Sequence, residues 1–182
     1  LELQTRTVLD VLSGVTFERD WSFQGIYELL KETCEMFESE AHAKGCDIME
    51  PYTTDGSMFP EVEMCVPDMT IALKNLVHNA IKYSFSKAKH NPKQRFIRIT
   101  GCWADRSKTC YSISISNYGV GITAEEIANG LVFQRYYRGV KSSDRRRTGA
   151  GLGLAHARQI VEDLHQGKIS VTSEHQYGDA YL

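Results

Sequence analysis

Apolar positions along this 182-residue chain change their spacing several times, and each change marks an element. Residues 1–13, LELQTRTVLDVLS, carry Leu1, Val8, Leu9, Val11 and Leu12 and stop at Gly14, the pattern of a helix's closing turns. VTFERDWSF (15–23) reads as a short edge strand. Residues 23–43 return to helical spacing, with Ile26, Leu29, Leu30, Thr33, Met36 and Phe37 on one face and Gly45 as the stop. Short strands are predicted around 46–49 and 62–66, and a second long helix from Pro67 and Asp68 to about Ser86. QRFIRITGCWA and TCYSISISN alternate with period two across DRSK, so they predict an antiparallel hairpin. A glycine turn, a short helix from Thr123, the polar run GVKSSDRRRTG, a helix over 151–164 and a strand GKISVTSE complete the pattern.

Helices and strands are mixed without strict alternation, and at least one pair of strands is a hairpin. The expected architecture is a two-layer α/β sandwich, a mixed, largely antiparallel sheet with helices on one face. Composition adds little: 42% hydrophobic and 24% charged residues with a formal net charge of -2 describe an ordinary globular protein, and nothing asks for nucleic acid. No apolar run approaches the ~18 residues of a membrane span, and LELQTRTVLD is too polar for a signal peptide, so no direct membrane contact is expected. The five cysteines are odd in number and contain no C-x-x-C, which points to reduced thiols in a cytoplasmic setting, whether or not a parent protein is membrane-anchored. The six histidines form no H-E-x-x-H, so a structural transition metal is not expected.

Candidate chemistry begins on the second long helix. At about 100° per residue, Met69, Leu73, Leu76, Val77, Ala80 and Ile81 fall on one arc, the core face. Asn75, Asn79 and Lys82 cluster within about 60° on the other side, with Tyr83 beside them. Alone, this is an ordinary solvated face. A second feature changes its meaning: TGAGLGLAHARQIV sets Gly149, Gly151 and Gly153 at the start of a helix, where unpaired backbone N–H groups attract an anion. The pattern is not a dinucleotide fingerprint, since SSDRRRT precedes it instead of a strand, and it is not a P-loop, since no G-K-[ST] follows. Together the two features suggest a nucleotide site. The glycines would take phosphates, Lys82 and an arginine would add positive charge, and Asn79 could offer an oxygen to Mg²⁺.

Four segments then stand in a familiar order. NLVHNAIKYS (75–84), SNYGVGI (116–122), LVFQRYYRG (131–139) and TGAGLGLAHARQIV (148–161) resemble the N box, first glycine box, F box and second glycine box of the ATP-binding catalytic domain of sensor histidine kinases. That domain belongs to the superfamily of gyrase, heat-shock chaperone ATPases and MutL. The resemblance implies the Bergerat ATP-binding fold over residues 15–182, with the last strand cut short, and residues 1–14 as the end of a preceding helical-hairpin domain or linker. It also implies ATP and Mg²⁺ as ligands. By position Asn79 would ligate the metal, Asn75 would support the same region, Lys82 and Arg138 would reach phosphate, and Tyr83 would pack on adenine or ribose. Gly119 and Gly121 would shape the adenine pocket, Phe133 and Tyr136 would anchor the base of a lid over 139–148, and Gly149, Gly151, Leu152 and Gly153 would hold phosphates.

The implied activity is that of a protein-histidine kinase in two-component signalling. In hydrolytic relatives a Glu one turn before the metal-binding Asn activates water; the matching residue here, Asn75, has no basicity near neutral pH. The γ-phosphate would instead await a histidine on a helical-hairpin domain of the same or a sister chain, and a response regulator receiver domain would follow. None of the six histidines stands in the acceptor motif, so the acceptor is expected outside this chain and the fragment is expected to be inactive in isolation. One position departs from the family: Asn117 stands where an Asp usually accepts a hydrogen bond from the adenine amine. An amide oxygen can accept the same bond without the charge, at a cost of about 1 kcal/mol. The departure keeps an alternative in view, a degenerate nucleotide-binding or regulatory pseudokinase module. It also raises the question of which amide atom faces the base.

Overall fold

A computed structural model describes residues 19–85, 96–141 and 149–174. The helix expected at 1–13, the first part of the strand over 15–23 and most of the lid lie outside the described residues. Strand β1 (Ser22–Gly25) leads into helix α1 (Ile26–Lys44), followed by β2 (Asp47–Ile48), β3 (Tyr52–Thr53), β4 (Glu61–Met64) and helix α2 (Val66–Tyr83). The hairpin β5 (Phe96–Trp103) and β6 (Tyr111–Ser116) comes next, then the short helix α3 (Ala124–Ala128), a 3-10 turn Leu131–Phe133, and helix α4 (Gly153–Arg158), which widens into a π-helical segment Gln159–Leu164.

β5 is the spine of the larger sheet. It pairs antiparallel with β6 from Arg98↔Ser116 to Trp103↔Tyr111, and parallel with both β2 and β3 along its other edge. β1 and β4 form a separate antiparallel pair. The period-two alternation sends Ile97 and Ile99 inward, where they meet Leu30, Val77 and Ile81 in the main core. Ser112, Ser114 and Ser116 remain exposed on the opposite face of β6. The result is the mixed sheet with one helix-covered face that the residue pattern predicts.

Several details differ from that pattern. Met36 is 55% exposed, because it lies about 80° around α1 from Ile26 and reaches only the rim of the buried face. α2 starts at Val66 instead of Pro67, and Asp68 gives no cap bond; its carboxylate pairs with Arg19 at 2.7 Å. β3 pairs over only two residues, too short to alternate visibly in the sequence. The segment 168–174 forms no strand ladder among the described residues; its Ile169 N–H donates to Glu162 and its Ser173 hydroxyl accepts from Ile122 N–H.

α4 packs on α2 in the opposite direction. Ala72 and Ala157, both fully buried, allow close approach, and Ile160, Met69, Leu76 and Leu164 fill in around them. Beyond the π-helical segment, His165 Nε2 accepts from the N–H of Cys65, the N-cap residue of α2, at 3.2 Å, while its Nδ1 lies 2.9 Å from the Ile160 carbonyl. All five cysteines are free thiols, and burial pushes the Cys34 thiol up to about 11.

α3 is held by a buried carboxylate. Thr123 and Glu126 make a reciprocal capping box, and Glu126, 3% exposed, also accepts from the Tyr137 hydroxyl and the Val140 N–H, both at 2.9 Å. Burial alone would raise its pKa, but the bonds from the Thr123 backbone and hydroxyl, Val140 and Tyr137 outweigh it and hold the carboxyl at about 2. Because the folded pKa is depressed, this stability is fully present above the ordinary value of 4.5 and is lost as pH falls toward 2. Glu126→Gln is expected to lower unfolding stability at neutral pH by about 1.5–3 kcal/mol, the worth of hydrogen bonds to a charged group. Chemical denaturation of both proteins from pH 7 to pH 3 checks this: the gap should narrow on acidification, and a constant gap would mean the carboxylate charge is not what Glu126 contributes.

Candidate functional site

The face of α2 that turns toward α4 changes character along its length. Ile71 and Ala72 begin it as apolar residues covered by α4; Asn75, Asn79 and Lys82 continue the same stripe past the point where α4 begins. Gly153, the first residue of α4, sits at that point. A β-carbon there would lie 3.3 Å from Asn75 Oδ1 and 3.4 Å from Asn79 Nδ2, so glycine brings the helix start up against both amides. The Lys82 ammonium occupies the space a β-carbon at Gly149 would take, and it stands 5.1 Å from the Tyr83 ring centre. The N-box side chains and the second glycine run are therefore in contact.

A second junction joins the end of α2 to the first glycine turn. Val120 N–H donates to the Tyr83 carbonyl at 2.9 Å and Phe85 N–H to the Tyr118 carbonyl at 3.1 Å, with Ser84 and Gly119 bridged antiparallel. A β-carbon at Gly119 would fall on the Tyr83 carbonyl oxygen, so only glycine permits this approach. Asn117 Nδ2 donates to the Ser84 hydroxyl at 3.2 Å. Gly121 follows two residues later, half-buried, just ahead of the α3 cap.

The third component is the edge of the predicted lid. Gly151, at φ 69°, lets its carbonyl accept from Tyr136 N–H at 2.9 Å, and a β-carbon there would lie 2.7 Å from both the Tyr136 carbonyl carbon and the Tyr137 carbonyl oxygen. Tyr136 is itself at φ 66° and 73% exposed, so its ring is not packed as a buried anchor. Phe133 is half-buried with the Arg158 guanidinium 5.5 Å from its ring centre. Arg138 is exposed on the segment whose neighbours Tyr137 and Val140 are both fixed by Glu126. Leu152 is 39% exposed at the cap position of α4.

Sequence reasoning missed Ser84, Glu126 and the alanine pair. Ser84 ends the N-box segment, and only its contact with Asn117 gives it meaning. Glu126 was detectable as the fourth letter of T-A-E-E, a capping-box signal. No group of three His, Cys, Asp or Glu residues able to hold a metal occurs among the described residues. A shallow depression of about 360 Å³ elsewhere, beside Tyr27, Phe59, Glu28 and Glu61, collects none of these residues and carries the wrong charge for phosphate.

Comparison with known proteins identifies the family and the fold. The profile of the family "Histidine kinase-, DNA gyrase B-, and HSP90-like ATPase" matches residues 66–181. Sensor histidine kinase YvrG of Bacillus subtilis is 36% identical over 106 residues, 58% of this chain and 16% of YvrG. Sensor-like histidine kinase SenX3 of Mycobacterium tuberculosis is 33% identical over 113 residues, 62% of this chain and 24% of SenX3. The chain thus spans less than a quarter of these curated relatives. Among solved structures, the nucleotide-free catalytic domain of histidine kinase ThkA superposes with a TM-score of 0.66 at 26% identity, covering 86% of this chain and 89% of that one. Full-length ShkA, solved in complex with AMPPNP, shares the fold at a TM-score of 0.64 and 21% identity, covering 87% of this chain and 30% of ShkA. The family match spans both glycine runs and the amide-bearing helix they meet: this chain belongs to the histidine kinase-, DNA gyrase B- and HSP90-like ATPases, as an ATP-binding domain of the sensor histidine kinase type.

Proposed function

We propose that the chain binds Mg–ATP and presents the γ-phosphate to a histidine on a helical-hairpin domain of the same or a sister chain, with a response regulator receiver domain as the later acceptor. The observation that carries this reading is the meeting of Asn75, Asn79 and Lys82 with Gly149 and Gly153 at one end of α2. Backbone N–H groups at the start of α4 and the Lys82 ammonium supply the positive potential a triphosphate needs. Asn79 offers an amide oxygen to the cation, and Asn75 stands one turn away to orient the same region. When bound, Mg²⁺ neutralises phosphate charge; the remaining task, holding the donor still for an incoming nucleophile, falls to the residues named.

Asn75 favours transfer over hydrolysis, because an amide cannot take a proton from water near neutral pH. Arg138, carried beside the Glu126-fixed segment, would approach the phosphate end, while Tyr83 and the turn at Gly119 and Gly121 would border the base. A second reading, a nucleotide-sensing module without phosphotransfer, draws support from Asn117, which removes the charge the family usually places against adenine.

Calorimetric titration with Mg–ATP separates these readings in two steps. Saturable binding that weakens at least tenfold in Asn79→Ala, and that depends on Mg²⁺ in the unaltered chain but much less in the variant, is expected. Absence of binding at millimolar ATP would refute the nucleotide reading. Mixing the chain with the helical-hairpin domain of its parent and radiolabelled ATP should then label a histidine; binding without transfer would leave the sensing module.

A further inference from the structure

Ser84 is the least exposed polar residue beside the first glycine turn, at 4%, and its hydrogen bonds leave it a single role. Its hydroxyl donates its only proton to the Ala80 carbonyl at 2.6 Å. Toward Asn117 the same oxygen can only accept, and Asn117 Nδ2 donates to it at 3.2 Å. Exchanging the two amide atoms would set Asn117 Oδ1 against an oxygen whose proton is already committed. The backbone leaves no room to escape this by sliding: the bridge between Ser84 and Gly119 and the flanking bonds Val120 to Tyr83 and Phe85 to Tyr118 fix the height of the turn. Gly119 closes the other side, where a β-carbon would lie 2.6 Å from Asn117 Nδ2.

From this geometry we infer that Ser84 is a specificity-determining positioning residue: by holding Asn117 Nδ2 it leaves Oδ1 as the outward atom and selects a 6-aminopurine over a 6-oxopurine. The inference rests on the nucleotide site proposed above. An outward oxygen meets the exocyclic amine of adenine as acceptor to donor, and meets the 6-oxo group of guanine or hypoxanthine as acceptor to acceptor. A carboxylate at position 117 would present an oxygen outward in either orientation, and its charge would draw the Ser84 proton away from the Ala80 carbonyl, which a neutral amide oxygen does far less well. An amide needs a partner, because a half-turn about its terminal torsion converts acceptor into donor and reverses the preference.

The test compares dissociation constants of Mg–ATP and Mg–ITP, which differ at the purine 6-position, for the full chain and four variants. The unaltered chain should favour ATP by tenfold or more. Ser84→Ala frees the amide to turn, so the ratio should fall to about threefold or less, largely through tighter ITP binding. Ser84→Thr, which keeps the hydroxyl, should restore it. In an Asn117→Asp background the ratio should be high and unchanged by adding Ser84→Ala, an interaction that a general packing role for Ser84 would not produce. A ratio that Ser84→Ala leaves intact in the otherwise unaltered chain would overturn the inference while leaving the nucleotide site standing; no binding of either nucleotide would refute the site itself. Should Ser84→Ala fail to fold, the unaltered chain still decides: the Asn117 side-chain NH₂ protons should give cross-relaxation peaks to the Ser84 β-protons and exchange slowly with solvent. Rapid exchange with no such peaks would overturn the inference.

Discussion

Everything proposed for this domain depends on the close packing of α4 against α2 through Ala72 and Ala157. Two methyl-sized side chains at the crossing let the helix backbones approach, and the contact continues through Ile160, Met69 and Leu164 to His165, whose ring accepts from the N–H of Cys65, the residue that leads into α2. With α4 pinned at that end, its start is carried to the polar half of α2, where Gly153 meets Asn75 and Asn79. A larger residue at either alanine would have to be accommodated by moving a helix in a close-packed interior. The same buried contact that stabilises the second core therefore positions the amides relative to the glycines.

Charge is sorted around this junction. Glu126 stays ionised with its carboxylate oxygens occupied by Thr123, Tyr137 and Val140, and Glu162 is paired with the Arg158 guanidinium at 2.6 Å. Lys82 lies instead against Gly149, next to the helix start. The start of α4 thus combines the Lys82 ammonium with backbone N–H groups, the charge that favours an anion. Glu126 also couples the segment bearing Arg138 to the cap of α3.

Much of this was legible in the sequence. The period-two runs of β5 and β6, the apolar stripes of α1 and α2 and the two glycine runs carry the strongest local signals, and apart from the exposed Met36 they stand where the residue pattern puts them. What escaped depends on contacts between distant segments. Ala72 lies on the arc of α2 assigned to the polar face, and only the arrival of α4 buries it. Ser84 carries no signal inside a helix predicted to run to about Ser86; it is a buried hydroxyl that links α2 to the first glycine turn. The strand predicted over GKISVTSE has the alternation but no ladder among the described residues, since alternation states what an edge could pair with and not whether a partner is present, and the truncated last strand at YGDAYL lies outside the described residues. Asn117 was the visible anomaly, and its explanation sits 33 residues away.

The central claim is that the C-terminal half of α2 and both glycine runs form one nucleotide surface. Backbone amide NMR of the full chain titrated with Mg–AMPPNP tests it most directly. Shifts concentrated at residues 75–84, 117–121 and 149–153, saturating together at one ligand concentration, are the predicted result. Shifts centred instead on the depression beside Tyr27 and Phe59, or groups of residues that saturate at different concentrations, would contradict it.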